Sequence, residues 1–287
     1  MIDLGLSILC SSLIFVIFKL YPRFRVQTLY AIIFNYITAC LVGLTLIENG
    51  TDLTQVIGKS WFPGTVLMGV LFIVIFNLMA RTSQTLGVSV ASVATKMSLA
   101  IPVVLGVFLY GEELGLLKVV GVLLALFAVY FTSVKNAHLP LNRKLIYLPA
   151  LVFLGSGIID ASIQYFEQNV LSAGEFPLFS SMVFASAACC GLIFVSLRAI
   201  REKVHIDARS ILGGIALGVP NFFSIYFLLR ALQNEVLNSA SVFTVNNVAI
   251  VMFSTLLGIV LFREKLSGKN WFGIALAILS ILLVAAF

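Results

Sequence analysis

Ten apolar runs follow one another along this chain, each close to the roughly 20 residues that an α-helix needs to cross the hydrocarbon of a bilayer. They extend approximately over Leu4 to Leu20, Leu29 to Ile47, Pro63 to Ala80, Val88 to Tyr110, Leu116 to Thr132, Leu145 to Tyr165, Leu178 to Leu197, Ile211 to Leu229, Ala240 to Phe262 and Trp271 to Phe287. A water-soluble core does not use so much contiguous apolar chain: 61% of the 287 residues are hydrophobic, 10% are charged, and the mean hydropathy is +1.11. Lipid is therefore the expected solvent. In lipid every backbone polar group must be satisfied within the chain, which leaves helices as the form of these runs. The expected fold class is an all-α polytopic membrane protein of ten transmembrane helices. Pro22, Asn49-Gly50, Gly111, Pro140 and Gly268 fall in the joints, where turn chemistry belongs. No joint is long enough to hold a soluble domain. Met1-Ile2-Asp3 offers no basic leader before the first run, so that run is expected to stay as a helix.

The formal charge of +6 does not read as a nucleic-acid patch, because the basic residues lie in the short joints. Of the 18 Lys and Arg residues, fourteen fall in odd-numbered joints, three (Lys59, Lys118 and Arg230) in even ones, and Lys96 inside the fourth run. That bias predicts cytoplasmic odd joints and both termini outside the cytoplasm, in a plasma (inner) membrane. Cys10, Cys40, Cys189 and Cys190 all sit in apolar runs without metal-ligand or CxxC spacing and read as packing residues. Neither a metal nor another cofactor is expected.

A shift of 149 residues lays Arg81 on Arg230, Ala91-Ser92-Val93 on Ala240-Ser241-Val242, Thr95 on Thr244, and Gly64 and Gly69 on Gly213 and Gly218. After a three-residue slip Glu112 meets Glu264 and Gly121 meets Gly273. Each half, 1–137 and 138–287, holds five helices. An odd number forces the second half to lie inverted relative to the first, which is an architecture of alternating-access transporters.

These residues also carry a family resemblance. Gly87-Val88-Ser89-Val90-Ala91-Ser92, Pro102 and Gly111-Glu112-Glu113-Leu114 resemble the signature of EamA-type transporters of the drug/metabolite transporter superfamily. Ser239-Ala240-Ser241-Val242 and Arg263-Glu264-Lys265-Leu266 are similar to its second copy. The resemblance implies transport of metabolites; members export amino acids, carry nucleotide sugars or move other small solutes. The second copy has Val251 where the first has Pro102, which leaves a matching kink in helix nine open.

Ionisable groups inside hydrocarbon are costly, so each is a site hypothesis. Lys96 falls about 4.5 Å to the cytoplasmic side of the middle of its run, and Asp160 about 7 to 8 Å to the outer side of its own, at 1.5 Å per residue. Their expected separation along the membrane normal is about 12 Å. Lys96 reads as a binding group for an anionic part of the substrate or as a structural, snorkelling cation. Asp160 reads as a proton-coupling carboxylate or as a capped carboxylate near the outer mouth. Asn35 and Asn77 fall on the side of Lys96, Asn221 near the centre, and Asn246, Asn247 and Gln164 on the side of Asp160, suggesting a polar column of substrate-binding groups. For each amide the alternative is an interhelical hydrogen bond worth about 1 kcal/mol. Arg81 and Arg230 read as topological anchors, and Glu112 and Glu264 as helix-end structure. Pro102 and Pro220 interrupt their backbone ladders in mid-span.

The function expected is secondary active transport of a small polar metabolite, most readily an amino acid or organic acid, by exchange or with protons as a partner. A nucleotide-sugar exchanger is the nearest alternative. A nucleotide-binding loop Gly-x-x-x-x-Gly-Lys-Ser/Thr is missing, which sets ATP-driven pumps aside, while His138 and His205 lie in joints and neither HExxH nor Gly-x-Ser-x-Gly occurs, which argues against an intramembrane enzyme. The inverted repeat and the scattered rather than ring-like polar residues argue against a channel, which stays with an intramembrane enzyme as a less favoured alternative. The partners expected are the lipid bilayer and a small-molecule substrate, not nucleic acid.

Overall fold

A computed structural model describes residues 2–46, 53–110, 115–133, 145, 147–171, 175–201, 206–232 and 239–286. Among them all regular structure is helical: α1 (Ile2–Leu20), α2 (Thr28–Thr45), a 3₁₀ turn (Leu53–Gly58), α3 (Phe62–Thr85), α4 (Val88–Met97), α5 (Ala100–Tyr110), α6 (Leu116–Ser133), α7 (Tyr147–Asn169), α8 (Phe176–Arg201), α9 (Ala208–Leu232), α10 (Ser239–Phe262) and α11 (Gly268–Ala286). Each expected apolar run coincides with one helix, except the fourth, which divides into α4 and α5. Among the described residues seven spans are long and apolar enough to cross a membrane: those of α1, α2, α3, α8, α9 and α10, and the stretch Val88–Leu105 through α4 and α5. In α6, α7 and α11 the apolar part is shorter, covering Val119–Thr132, Tyr147–Ile163 and Gly268–Leu283.

The helices cluster into two compact units. The first holds Met1–Leu20, Leu78–Ala161 and Phe223–Phe287, and the second Tyr21–Asn77 and Ser162–Phe222. Neither unit is a half of the sequence. In the first, α6 packs on α11 and α1 on α10, while α10 also meets α4 and α11. In the second, α2 packs on α8.

Small side chains set these approaches. Within the second unit, Gly214 of α9 lies against the Ala31 carbonyl and the Asn35 amide of α2, and Gly69 of α3 lies against Ser186 and Ala187 of α8. Close backbone contact of this kind replaces hydrophobic driving force where lipid is as apolar as leucine. An aromatic cluster fills the space between: Tyr36 stacks on Phe184 at 6.1 Å and donates its hydroxyl to the Phe72 carbonyl at 2.8 Å. In the first unit, α6 and α11 are tied by polar bonds to carbonyls. Asn270 Nδ2 donates to Thr132 at 2.8 Å, and Ser280 to Gly121 at 2.7 Å. Leu116, Leu123 and Phe127 of α6 and Ile193, Phe194 and Leu197 of α8 remain exposed, as lipid-facing surfaces do.

Candidate functional site

The site begins with a proline. In an α-helix the N–H of residue 102 would bond to the carbonyl of residue 98, but Pro102 has no N–H and its ring crowds that carbonyl. The backbone turns instead at Ser98 and Leu99, and the Ser98 carbonyl accepts the N–H of Ile101 at 2.9 Å. The expected single fourth helix is thus corrected to two, α4 and α5. Pro220 has no such effect, since α9 runs unbroken through it. At Val251, the counterpart of Pro102, α10 is also continuous, so the two halves differ at this point.

Asp160 of α7 meets the break. Ser98 donates its hydroxyl to Asp160 Oδ2 at 3.0 Å, and one turn earlier on α7 Gly157 leaves the space that the Ile101 side chain of α5 occupies. Ser98 is fully buried, whereas Asp160 stays exposed. Lys96, half-buried in the last turn of α4, acts electrostatically on Asp160. Among the described residues the two do not close a direct ion pair. Ser98, which bonds to Asp160, is only two residues from Lys96, and α7 extends to Asn169, so its midpoint lies nearer Asp160 than that of the expected run Leu145 to Tyr165. Lys96 lines a narrow crevice together with Met97, Leu99, Ala100, Ser280 and Ile281.

The expected polar column divides between the two units. Asn246 and Asn247 belong with Lys96 and Asp160, while Asn35, Asn77 and Asn221 belong to the other unit. Asn246 is buried and accepts a hydrogen bond from Ser7 at 3.2 Å; Ser7 also reaches the Ser224 carbonyl at 2.8 Å. Asn247 is buried beside it. In the second unit Asn221 Nδ2 donates to Asn35 Oδ1 at 3.1 Å, both side chains being buried, and Asn35 Nδ2 has no hydrogen-bond partner. Asn77 donates to the Ile73 carbonyl of its own helix at 2.7 Å. The side chain of Gln164 lies outside the described residues.

Two groups that carry the geometry were not singled out by the sequence reading as site residues. Ser98 is one, hidden because a serine in an apolar helix is common and its partner is remote in the chain. Glu264 is the other, read there only as helix-end structure, and the structure gives that role its content. Its carboxylate accepts the Val88 N–H at 2.8 Å and the Ser89 hydroxyl at 3.3 Å, capping the N-terminus of α4, with Lys19 at 3.9 Å. Arg263 adopts φ 52°, which turns Glu264 back so that its N–H meets the Gly258 carbonyl at 3.2 Å. Gly87, at φ 120°, and Gly258 leave room for the carboxylate: a Cβ at either would lie 2.9 or 2.7 Å from its oxygens. Glu112 lies outside the described residues. Arg230 pairs with Asp3 at 3.7 Å and sits over the Tyr226 ring, consistent with an anchor.

The sequence pattern of the EamA-like transporter family matches residues 4–134 and 148–286. An uncharacterized protein of Haemophilus influenzae (strain ATCC 51907 / DSM 11121 / KW20 / Rd) is 31% identical over 285 residues, which covers 97% of this chain and 96% of that one. A protein crystal structure superposes with a TM-score of 0.55 at 18% identity, over 97% of this chain and 96% of the other, so the two share a fold. The family pattern accounts for nearly the whole chain, and its apolar helices fit the bilayer it implies: this multi-pass membrane protein belongs to the EamA-like transporter family, within the drug/metabolite transporter superfamily.

Proposed function

We propose that the protein is a secondary active transporter that moves a small polar metabolite, an amino acid or organic acid, by alternating access, coupled to protons or to exchange. The observation that carries this reading is the Ser98–Asp160 hydrogen bond at the α4–α5 break, which brings a carboxylate to the turn that follows Lys96 within otherwise apolar helices. Two opposite charges that influence each other without closing a pair leave a place for a zwitterion or a carboxylate. An exposed carboxylate in mid-helix is tolerable only on a hydrated path, because lipid would charge several kcal/mol for it. Lys96 binds the anionic group, Asp160 carries the proton, and Asn246 and Asn247 complete the polar lining of that unit. Asn35, Asn221, Asn77 and Gln164 line the other, where the Nδ2 of Asn35 is buried without a hydrogen-bond partner.

The architecture proposed is ten spans arranged as two inverted repeats, 1–137 and 138–287. The helix pairing supports it. Taken in order within each half α2 corresponds to α8 and α6 to α11, and these are helices that pack on each other, as elements related by a two-fold axis do. α1 packs on α10, where Ser7 bonds to Asn246, and the Ser98–Asp160 bond joins α7 to the α4–α5 break. Both termini lie outside the cytoplasm in this reading, and the membrane is the plasma (inner) membrane.

Flux into proteoliposomes tests the proposal, with amino acids, organic acids and nucleotide sugars presented with and without a pH gradient. Saturable, gradient-stimulated uptake of an amino acid or organic acid is expected. Asp160→Asn should abolish the stimulation while leaving exchange. Lys96→Gln should raise the half-saturating concentration about ten- to a hundredfold, the worth of one charge-assisted hydrogen bond. Saturable flux of nucleotide sugars alone, or wild-type behaviour of both variants, overturns the assignment.

A further inference from the structure

We infer that Ser98 is a positioning residue through which the protonation state of Asp160 sets the hydrogen bonding of the α4–α5 break. The inference rests on the reading of Asp160 as the proton-carrying group and adds the means by which the backbone senses it. A serine hydroxyl has one hydrogen to donate. The Ser98 hydroxyl lies within hydrogen-bonding distance of two acceptors, the Thr95 carbonyl in the last turn of α4 and Asp160 Oδ2 at 3.0 Å. Other buried serines in the same kind of position, Ser92 and Ser254, bond back to the carbonyl three residues earlier, at Ser89 and Val251. Ser98 does so too, but it also faces an ionisable group.

When Asp160 is ionised its carboxylate takes the Ser98 hydrogen, because a charged acceptor makes the stronger bond. The Thr95 carbonyl then loses that donor. When Asp160 is protonated, its own O–H needs an acceptor, Ser98 Oγ supplies it, and the Ser98 hydrogen turns to Thr95. Ser98 keeps its own hydrogen in both states, and the proton is gained or lost by Asp160 alone. Only the direction of two hydrogen bonds changes. The turn that receives the change already departs from the helical ladder, since Pro102 offers no N–H and the Ser98 carbonyl takes that of Ile101 instead. Lys96, from the last turn of α4, is the charged side chain that acts on Asp160; α5 contributes Ile101 against Gly157.

Hydrogen–deuterium exchange of the full chain in lipid nanodiscs, followed from pH 5 to 9 on peptides spanning residues 96–101 and corrected for intrinsic exchange, tests the inference. The wild type should show one transition in protection of about fivefold, the size that one net hydrogen bond allows. Asp160→Asn should flatten it. Ser98→Ala should flatten it with Asp160 intact, and Ser98→Thr, which keeps the hydroxyl, should restore it. Should Ser98→Ala fail to insert, Ser98→Cys takes its place as a near-isosteric weak donor, with the same flattening expected. A wild-type transition in Ser98→Ala, or equal profiles for the Ala and Thr variants, overturns the role of Ser98 while leaving Asp160 as the titrating group. A transition that survives in Asp160→Asn, or a flat wild-type profile, overturns the reading of Asp160 and this inference with it.

Discussion

Glu264 shows how one side chain in a joint can fix a helix inside the bilayer. It is held by an N–H, a hydroxyl and a nearby ammonium, and it faces the positive end of α4, where a carboxylate is favoured by the helix dipole. Glu264→Ala should therefore lower stability by about 2 kcal/mol, as for a charge-assisted hydrogen bond lost from a buried donor. Thermal unfolding in detergent reads it. Lys19→Gln should cost less, about 0 to 1 kcal/mol, because the pair is long and partly solvated. Gly87→Ala should resemble Glu264→Ala or exceed it, since φ 120° is strained for any side chain and the new Cβ would meet the carboxylate. If Gly87→Ala unfolds at the wild-type temperature, the cradle is not what holds the α4 N-terminus.

At the scale of elements, the break between α4 and α5 and the start of α9 make contrasting predictions. Pro102→Ala returns an N–H to the Ser98 carbonyl and removes the ring that crowds it, so α4 and α5 should merge toward one helix. Slower exchange at residues 98–102 is expected, together with loss of gradient-driven flux, because the turn that presents Ser98 to Asp160 would straighten. The N-terminus of α9 is instead held from outside the apolar span. Asp207 accepts the Ser210 amide at 3.1 Å and the Ser210 hydroxyl, which in turn accepts the Gln27 amide at 3.1 Å. The Ser210 hydroxyl holds the Asp207 carboxyl below its ordinary value of 3.8. A carboxylate shifted down stabilises the folded form fully above that ordinary value and loses the contribution as pH falls below it. Exchange at Ser210 and Ile211 should consequently rise on acidification below about pH 4. In Asp207→Ala it should be fast already at neutral pH.

For the molecule as a whole, the charge bias bears on orientation, and the ion pair between Lys59 and Glu175, 2.9 Å apart, holds two even joints together. Single cysteines at positions 175 and 201, introduced after replacing Cys10, Cys40, Cys189 and Cys190, should divide cleanly. An impermeant maleimide applied to intact cells should label position 175 and spare position 201. The reverse pattern would invert the orientation and leave the fold as it stands.

The helices were legible in the sequence because an apolar run of spanning length has one physical outcome in lipid, an α-helix that satisfies its own backbone. Glu264 was legible as a helix-end residue for a related reason, since the repeat placed it in a joint. Lys96 and Asp160 stood out by the cost of burying charge, which composition alone exposes. Their proximity did not, because it depends on where Pro102 diverts the backbone and on Gly157 admitting Ile101, neither of which an ideal straight helix contains. The division of Asn35, Asn77 and Asn221 from Asn246 and Asn247 was hidden in the same way. Depth along a helix follows from counting residues, but which helices pack together is decided by side-chain shape at contacts remote in the chain. Ser98 is the clearest case: its chemistry was visible as a serine, and only the tertiary structure supplied the carboxylate that gives its single hydrogen a choice.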